Sequence, residues 1–324
     1  MNRIVAIVGA TATGKSALGI ALAEAFGGEV LACDSTAVYR GIDIGTDKVP
    51  RAEQRGIPHH MIDLVGPTEV YSAARYGNEA AEMARAVVAR DALPILVGGT
   101  GFYYRALVRG IFPGPNRDDA LRERLERVAT RKGPEALHRW LGRVDPPSAL
   151  RILPRDRMRL VRALEVYLLT KKPLTAHFDD TRSPIADFHV LTLGLRMPRP
   201  ELLPRITRRV EQQFRSGLLD EVERLIAAGV SPGAHAFSGL VYRQVMEMRA
   251  GTRDEGATRE LIVRENMRYA RRQLMWFRKE PNVQWIDVPG ESEEARRLAE
   301  AQVREWLARE SPVSHQPAAS GRTS

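Results

Sequence analysis

Gly9-Ala10-Thr11-Ala12-Thr13-Gly14-Lys15-Ser16 is the stretch that decides the fold. It fits the pattern G-x-x-x-x-G-K-[ST], and it lies where that pattern has meaning: after the apolar run Ile4-Val5-Ala6-Ile7-Val8 and before a helical segment from Lys15 to about Phe26. Its chemistry is convergence. Glycines let backbone N–H groups turn toward one point, the helix N-terminus adds positive dipole, and Lys15 adds a point charge. Gly9, Ala10, Thr11, Ala12, Thr13, Gly14, Lys15 and Ser16 are therefore the expected phosphate cradle, with the Ser16 hydroxyl available to hold Mg2+.

Outward from that loop, further apolar runs at Val30 to Cys33 and Ile95 to Val97 alternate with a helical segment from Ser72 to Arg90. Each run feeds a loop of functional residue types, Asp34-Ser35 after the second and Gly98-Gly99-Thr100-Gly101 after the third. Alternating strands and helices build a parallel sheet covered on both faces, with ligands at its carboxyl edge. The expected fold class is therefore α/β: a P-loop NTPase-like parallel sheet flanked by helices, with an inserted all-helical domain. The core takes residues 1–116, the helical insertion 117–186, and the core resumes over 187–309. In that second part His189 to Met197 returns to the sheet, helices cover Pro200 to Ala228 and Thr258 to Lys279, and a last strand falls at Val283 to Val288. Residues 310–324 are polar and Pro/Ser-rich, the composition of a disordered tail.

The 324 residues carry 49 Lys+Arg against 40 Asp+Glu, a net charge of +9 that suits a polyanionic partner. The single cysteine, Cys33, cannot form an internal disulfide and reads as a small buried residue ending a strand rather than as a nucleophile. No apolar run approaches a membrane span and the N-terminus enters a strand directly, so a cytoplasmic protein is expected. His59-His60 lacks the carboxylate and histidine spacing that would complete a metal site. Two stretches are strongly basic: Arg259 to Lys279, where Arg264, Arg268, Arg271 and Arg272 share one helical stripe, and the insertion's Arg155, Arg159 and Arg162.

A phosphate cradle does not identify what carries the phosphates; ATP, GTP and a prenyl diphosphate all satisfy it. The remaining motifs narrow the choice. Asp34-Ser35-Thr36-Ala37-Val38-Tyr39-Arg40-Gly41, Pro58-His59-His60-Met61-Ile62-Asp63, Gly98-Gly99-Thr100-Gly101-Phe102-Tyr103, Val144-Asp145-Pro146, Arg159-Leu160-Val161-Arg162-Ala163-Leu164-Glu165, Gly217-Leu218-Leu219-Asp220-Glu221-Val222 and Arg272-Gln273 with Trp276-Phe277-Arg278 follow in that order. The ordered set resembles the bacterial tRNA dimethylallyltransferases over nearly the whole chain outside its tail. The chain departs from the family pattern at Ala10 (commonly Pro), Ala37 (Gln), Met158 (Gln), Val241 (Gly), Asn266-Met267 (Thr-Arg) and Met275 (Thr). Several of these positions lie where the family meets tRNA, so they bear on RNA affinity more than on the reaction.

The resemblance implies transfer of a dimethylallyl group from dimethylallyl diphosphate to the N6 amine of the adenosine 3′-adjacent to the anticodon, with Mg2+ as cofactor and the tRNA anticodon stem-loop as partner. A monomer is the default expectation. Adenine's exocyclic amine is a poor nucleophile because its lone pair is delocalised, so proton removal must accompany its attack; Asp34 is the carboxylate placed to do it. By resemblance Thr100 and Arg122 join the catalytic set. The expected RNA contacts are Asp34, Ser35, Thr36 and Ala37, then Met158, Arg159, Leu160, Val161 and Arg162, then Tyr242, Arg243, Arg268, Arg271, Arg272, Gln273 and Arg278. Two other functions share the cradle: a P-loop kinase, which turns over ATP without RNA, and a non-catalytic RNA-binding switch, which binds tRNA and leaves it unaltered.

Overall fold

The computed structural model describes residues 1–112, 114–178 and 181–309. In chain order the elements are β1 (Asn2–Gly9), α1 (Lys15–Phe26), β2 (Gly28–Cys33), β3 (His59–His60), α2 (Ala73–Val88), β4 (Leu93–Gly98), α3 (Gly101–Val108), α4 (Asp119–Lys132), α5 (Pro134–Val144), α6 (Pro146–Arg151), α7 (Arg157–Thr170), β5 (Phe188–Leu195), α8 (Arg199–Arg215), α9 (Leu218–Ala227), α10 (Leu240–Arg249), α11 (Glu255–Phe277), β6 (Val283–Ile286) and α12 (Glu293–Ala308). The six strands form one parallel sheet in the order β3-β2-β4-β1-β5-β6.

β1 is central because its sequence permits nothing else: Ile4 through Val8 are all buried, as a strand covered on both faces requires. Its register pairs Val8 with Gly98 on one side and with Gly194 on the other, so β1, β4 and β5 end level and release their loops at one edge. On one face Leu18 and Leu22 of α1 pack with Ala295, Ala299, Val303 and Trp306 of α12 over Val5, Ile7, Val97 and Leu193. α11 contacts β1, and α2 contacts β1, β2 and β4.

The chain divides into two compact units, Met1–Tyr104 with Ile185 onward, and Arg105–Pro184. The second unit is helical and has its own core, in which Leu125 and Ala129 of α4, Leu137 and Leu141 of α5 and Leu160, Val161 and Leu164 of α7 are buried together. The helical stretch expected over 200–228 is two helices, because Gly217 adopts a φ of 91° between α8 and α9. Four elements lie outside the sequence reading. β3 is a two-residue strand paired with Val30 and Leu31, α3 follows the Gly98 to Gly101 loop, and α10 and α12 complete the second half of the core. The residues 310–324 expected as a tail lie outside the described residues. Among the described residues no helix is long and apolar enough to cross a membrane.

Candidate active site

The loop after β1 turns as its motif requires. Gly14 takes a φ of 88° at the entry to α1, a conformation that lets the loop amides curl inward ahead of the helix. Thr13 Oγ1 donates to Ala10 O at 2.8 Å and closes the loop on itself. Lys15 Nζ lies 2.5 Å from the same carbonyl, folded back over the cradle. Burial, then the neighbouring Arg209 guanidinium, lowers the Lys15 pKa to about 7, against the opposing pull of Asp34. An ammonium whose charge is disfavoured first by burial and then by a cationic neighbour would be stabilised by an anion. Ser16 stands exposed beside it in the first turn of α1. Among the described residues there is no cluster of three or more His, Cys, Asp or Glu side chains able to hold a metal. A metal ion at this loop would have the Ser16 hydroxyl as its protein ligand.

The cradle opens into a cavity of about 310 Å³ whose walls include Lys15, Asp34, Asp47, Arg209, Asn266 and Tyr269. Asp34, released by the end of β2, has one carboxylate oxygen tied down: Oδ1 accepts from Thr36 N at 2.8 Å, Thr36 Oγ1 at 2.6 Å and Ala37 N at 3.2 Å. Among the described residues no donor engages Oδ2. One oxygen orients the group and the other is left for chemistry. Tyr269 is close enough that burial, then the Asp34 charge, pushes its pKa up to about 12.

Thr100 is not among the residues lining this cavity. Its hydroxyl accepts from Ser35 N at 3.2 Å and its backbone N donates to Cys33 O, so it braces the Asp34 loop. Cys33 is fully buried, and burial pushes its thiol up to about 12, which leaves it unreactive. His60 pairs with Glu29 at 2.5 Å, and His59 bonds the Ile57 carbonyl.

Arg122 belongs to the helical unit. Its Nε and Nη2 bind both oxygens of buried Glu165 at 2.8 and 2.9 Å, and Arg162 Nη1 reaches the same carboxylate at 2.7 Å. Burial alone would raise Glu165, but the hydrogen bonds from Arg122, Arg162 and the Asp118 amide outweigh it and draw the pKa to about 2. Arg122 and Arg162 thus hold that unit together through a buried carboxylate.

The RNA-contact set divides by exposure. Leu160 and Val161 are buried in the helical core, so their side chains cannot meet RNA. Met158 is 84% exposed, and Leu150, Leu153 and Arg159, near it in sequence, are exposed as well. Tyr242 is buried and bonded to Glu221 and Gly45, while Arg243 is exposed. Ser35, Thr36 and Ala37 line the cavity. On α11 the expected stripe is split. Asn266, Tyr269 and Gln273 face the cavity, whereas Arg264, Arg268 and Arg271 line a separate groove against α8, floored by Leu202, Val210, Met267 and Leu274. Arg272 stacks over the Tyr269 ring at 5.7 Å, and Arg278 is exposed.

Gln273 is a buried clamp at the cavity wall: its Oε1 accepts from Thr11 N at 2.8 Å and its Nε2 donates to Gly99 O at 3.0 Å, joining the loops after β1 and β4. Gln273→Leu strands a buried N–H and a buried carbonyl, and is expected to cost about 1–3 kcal/mol per orphaned group in urea unfolding. An unchanged unfolding midpoint would show that the clamp contributes nothing.

Several functional groups carry no motif. Arg209 of α8 donates from Nη1 to Thr11 Oγ1 at 2.9 Å and pairs with Asp47, while Arg205, one turn earlier, donates to Ala12 O at 2.7 Å and pairs with Glu291. The signal in the sequence is slight, two arginines at i, i+4 on one helix face.

The IPP transferase family model matches residues 37–280, and an isopentenyl transferase model matches 2–66. The tRNA dimethylallyltransferase of Geobacter sulfurreducens is 43% identical over 89% of this chain and 93% of its own length; that of Thermomicrobium roseum is 45% identical over 93% and 92%. Among solved structures, the tRNA isopentenylpyrophosphate transferase of Bacillus halodurans superposes with a TM-score of 0.68 at 34% identity, covering 94% of this chain and 98% of that one. A eukaryotic dimethylallyltransferase captured acting on tRNA gives 0.73 at 26% identity, covering 94% and 78%. A family model over most of the chain, with relatives of this identity along nearly all of it, means that the chain belongs to the IPP transferase family, the tRNA dimethylallyltransferases.

Proposed function

We propose that this chain transfers the dimethylallyl group of dimethylallyl diphosphate to the N6 amine of the adenosine 3′-adjacent to a tRNA anticodon, releasing diphosphate, and that it works in the cytoplasm. One observation carries the reading: a single cavity presents the phosphate-loop lysine and, with it, a carboxylate with one oxygen anchored and one open. The cradle and Arg209 receive the diphosphate, and Asp34 Oδ2 takes the amine proton as nitrogen bonds to the prenyl C1 and the C1–O bond breaks. Charge builds on the departing oxygen in the transition state, where Lys15 and the loop amides bind it most strongly. Magnesium, held by Ser16, would add charge neutralisation at the diphosphate.

For the RNA, the helical unit's exposed Leu150, Leu153 and Met158 beside Arg155 and Arg159 suit an unstacked base with its phosphates. Extruding the target adenosine costs a few kcal/mol, offset by such stacking and phosphate contacts. A kinase would require ATP to fill the same cradle with a small phosphoryl acceptor opposite. The distinguishing experiment is RNA-dependent release of diphosphate from dimethylallyl diphosphate, followed by a coupled phosphatase. Phosphate transfer from ATP without RNA would reverse the assignment.

The depressed Lys15 also sets a pH dependence. Below about pH 7 the free protein already holds the charged ammonium, so this group gives donor binding no slope. Above that value the lysine is neutral in the free protein and diphosphate draws a proton onto it, so affinity should fall with rising pH by up to about tenfold per unit. Calorimetry at pH 8 in two buffers of different ionisation heat should register proton uptake; none would contradict the placement of Lys15 at the diphosphate.

A further inference from the structure

Residues 43–48 belong to no strand or helix, and Gly45, Thr46, Asp47 and Lys48 among them line the active cavity. Their order comes from α9 and α10. Glu221 is 2% exposed, and its Oε2 accepts from Asp43 N and Ile44 N, each at 2.9 Å. Its Oε1 accepts from Tyr242 Oη at 2.5 Å, and the same hydroxyl accepts from Gly45 N at 2.9 Å. A carboxylate this deep is expensive unless its oxygens are filled by donors, and three successive backbone amides and one phenol fill them here. Burial, then the Glu221 charge, raises the Tyr242 pKa far above any working pH, so the phenol remains a donor. Gly45 passes so near the Tyr242 ring that a Cβ would lie 2.6 Å from Cζ, which fixes the register of turn against helix.

Two residues on, Asp47 is held with a φ of 52°, a region that a non-glycine residue occupies only when its surroundings compel it. Its carboxylate lies 2.5 Å from Arg209 and is also bonded by Gln213, and Arg209 in turn bonds Thr11 of the cradle. A continuous chain of contacts therefore runs from Glu221 and Tyr242, through the 43–47 turn, to the Arg209 guanidinium at the cradle loop.

We propose that the buried Glu221–Tyr242 pair is a positioning device for the transfer: it sets the 43–47 turn so that Asp47 aims Arg209 at the leaving diphosphate. This rests on the reading that the cradle holds the donor's diphosphate. Neither residue touches the reacting atoms in this account; both act through Arg209.

The test is a double-mutant cycle in the full chain with Tyr242→Phe and Arg209→Ala, read by calorimetric affinity for inorganic diphosphate and by kcat and KM for prenyl transfer. Tyr242→Phe alone should weaken diphosphate binding by about tenfold, the loss expected of one buried hydrogen bond. In the Arg209→Ala background the same change should have almost no effect, because the group it aims is gone. Equal losses in both backgrounds, or no loss in either, would overturn the proposal. Glu221→Gln, which keeps the volume and points amide hydrogens at backbone N–H groups, should behave the same way; if it fails to fold, the Tyr242 cycle stands alone. Diphosphate binding does not require prenyl transfer. A coupled cycle in a protein that yields no prenylated RNA would sustain the positioning role and defeat the reaction assignment instead.

Discussion

Asp34→Asn is expected to lower turnover at saturating donor and tRNA by about 10²–10⁴, the usual worth of a general base, with donor affinity nearly unchanged. The geometry makes the substitution clean. Oδ1, which accepts from Thr36 and Ala37, has its counterpart in the asparagine carbonyl, so the loop after β2 keeps its bonds. Only Oδ2 changes, from an acceptor to an amide that cannot take a proton. Were Asp34 an organiser of magnesium, donor affinity would collapse first and added magnesium would restore activity; either result, or normal turnover, would remove the general-base role. Single-turnover kinetics with separately titrated donor distinguishes these cases.

Lys15→Ala is expected to cost roughly 10²–10³ in turnover, through loss of one charged contact to an oxygen that gains charge as the bond breaks. Its side chain already lies at the cradle, 2.5 Å from Ala10 O. The variant should also lose the proton uptake expected on diphosphate binding at pH 8, which ties the kinetic defect to this amine. Turnover within a few-fold of the parent would take the cradle out of the mechanism.

What the sequence shows in advance follows from how local each feature is. Strands β1, β2 and β4 are legible because a doubly covered parallel strand must be an unbroken apolar run, and the phosphate loop because its geometry is written in eight consecutive residues. β3 is not legible: two half-buried histidines carry no periodicity, and only pairing with Val30 and Leu31 makes them a strand. α12 does carry a signal, a Ser292 cap with Ala295, Ala299, Val303 and Trp306 on one face. α9 is separated from α8 by a glycine whose φ no composition reveals.

The site divides in the same way. Lys15, at the start of the helix after the β1 loop, and Asp34, just after β2, stand at the carboxyl edge where an open sheet gathers its ligands, so position alone marks them. Arg209, Asp47 and Glu221 are assembled by topology: Asp47 and Arg209 are 162 residues apart, and Glu221 lies 178 residues from Asp43. No window of sequence contains such a pairing. The mixed burial of the RNA set has a related cause, since a motif marks positions without saying which side chains hold the fold. Leu160 and Val161 lie in a motif beside Arg159 and Arg162 yet serve a core, and Gln273, next to Arg272, clamps two loops.

The central claim, that this cavity joins a prenyl diphosphate to a tRNA adenosine, is tested most directly by incubating the protein with dimethylallyl diphosphate, magnesium and unmodified tRNA, then digesting the RNA and weighing its nucleosides. The account predicts one adenosine, next to the anticodon, carrying a dimethylallyl group in place of an amine hydrogen, and the product absent with Asp34→Asn. Unaltered tRNA alongside phosphate transferred from ATP to a small acceptor would contradict it.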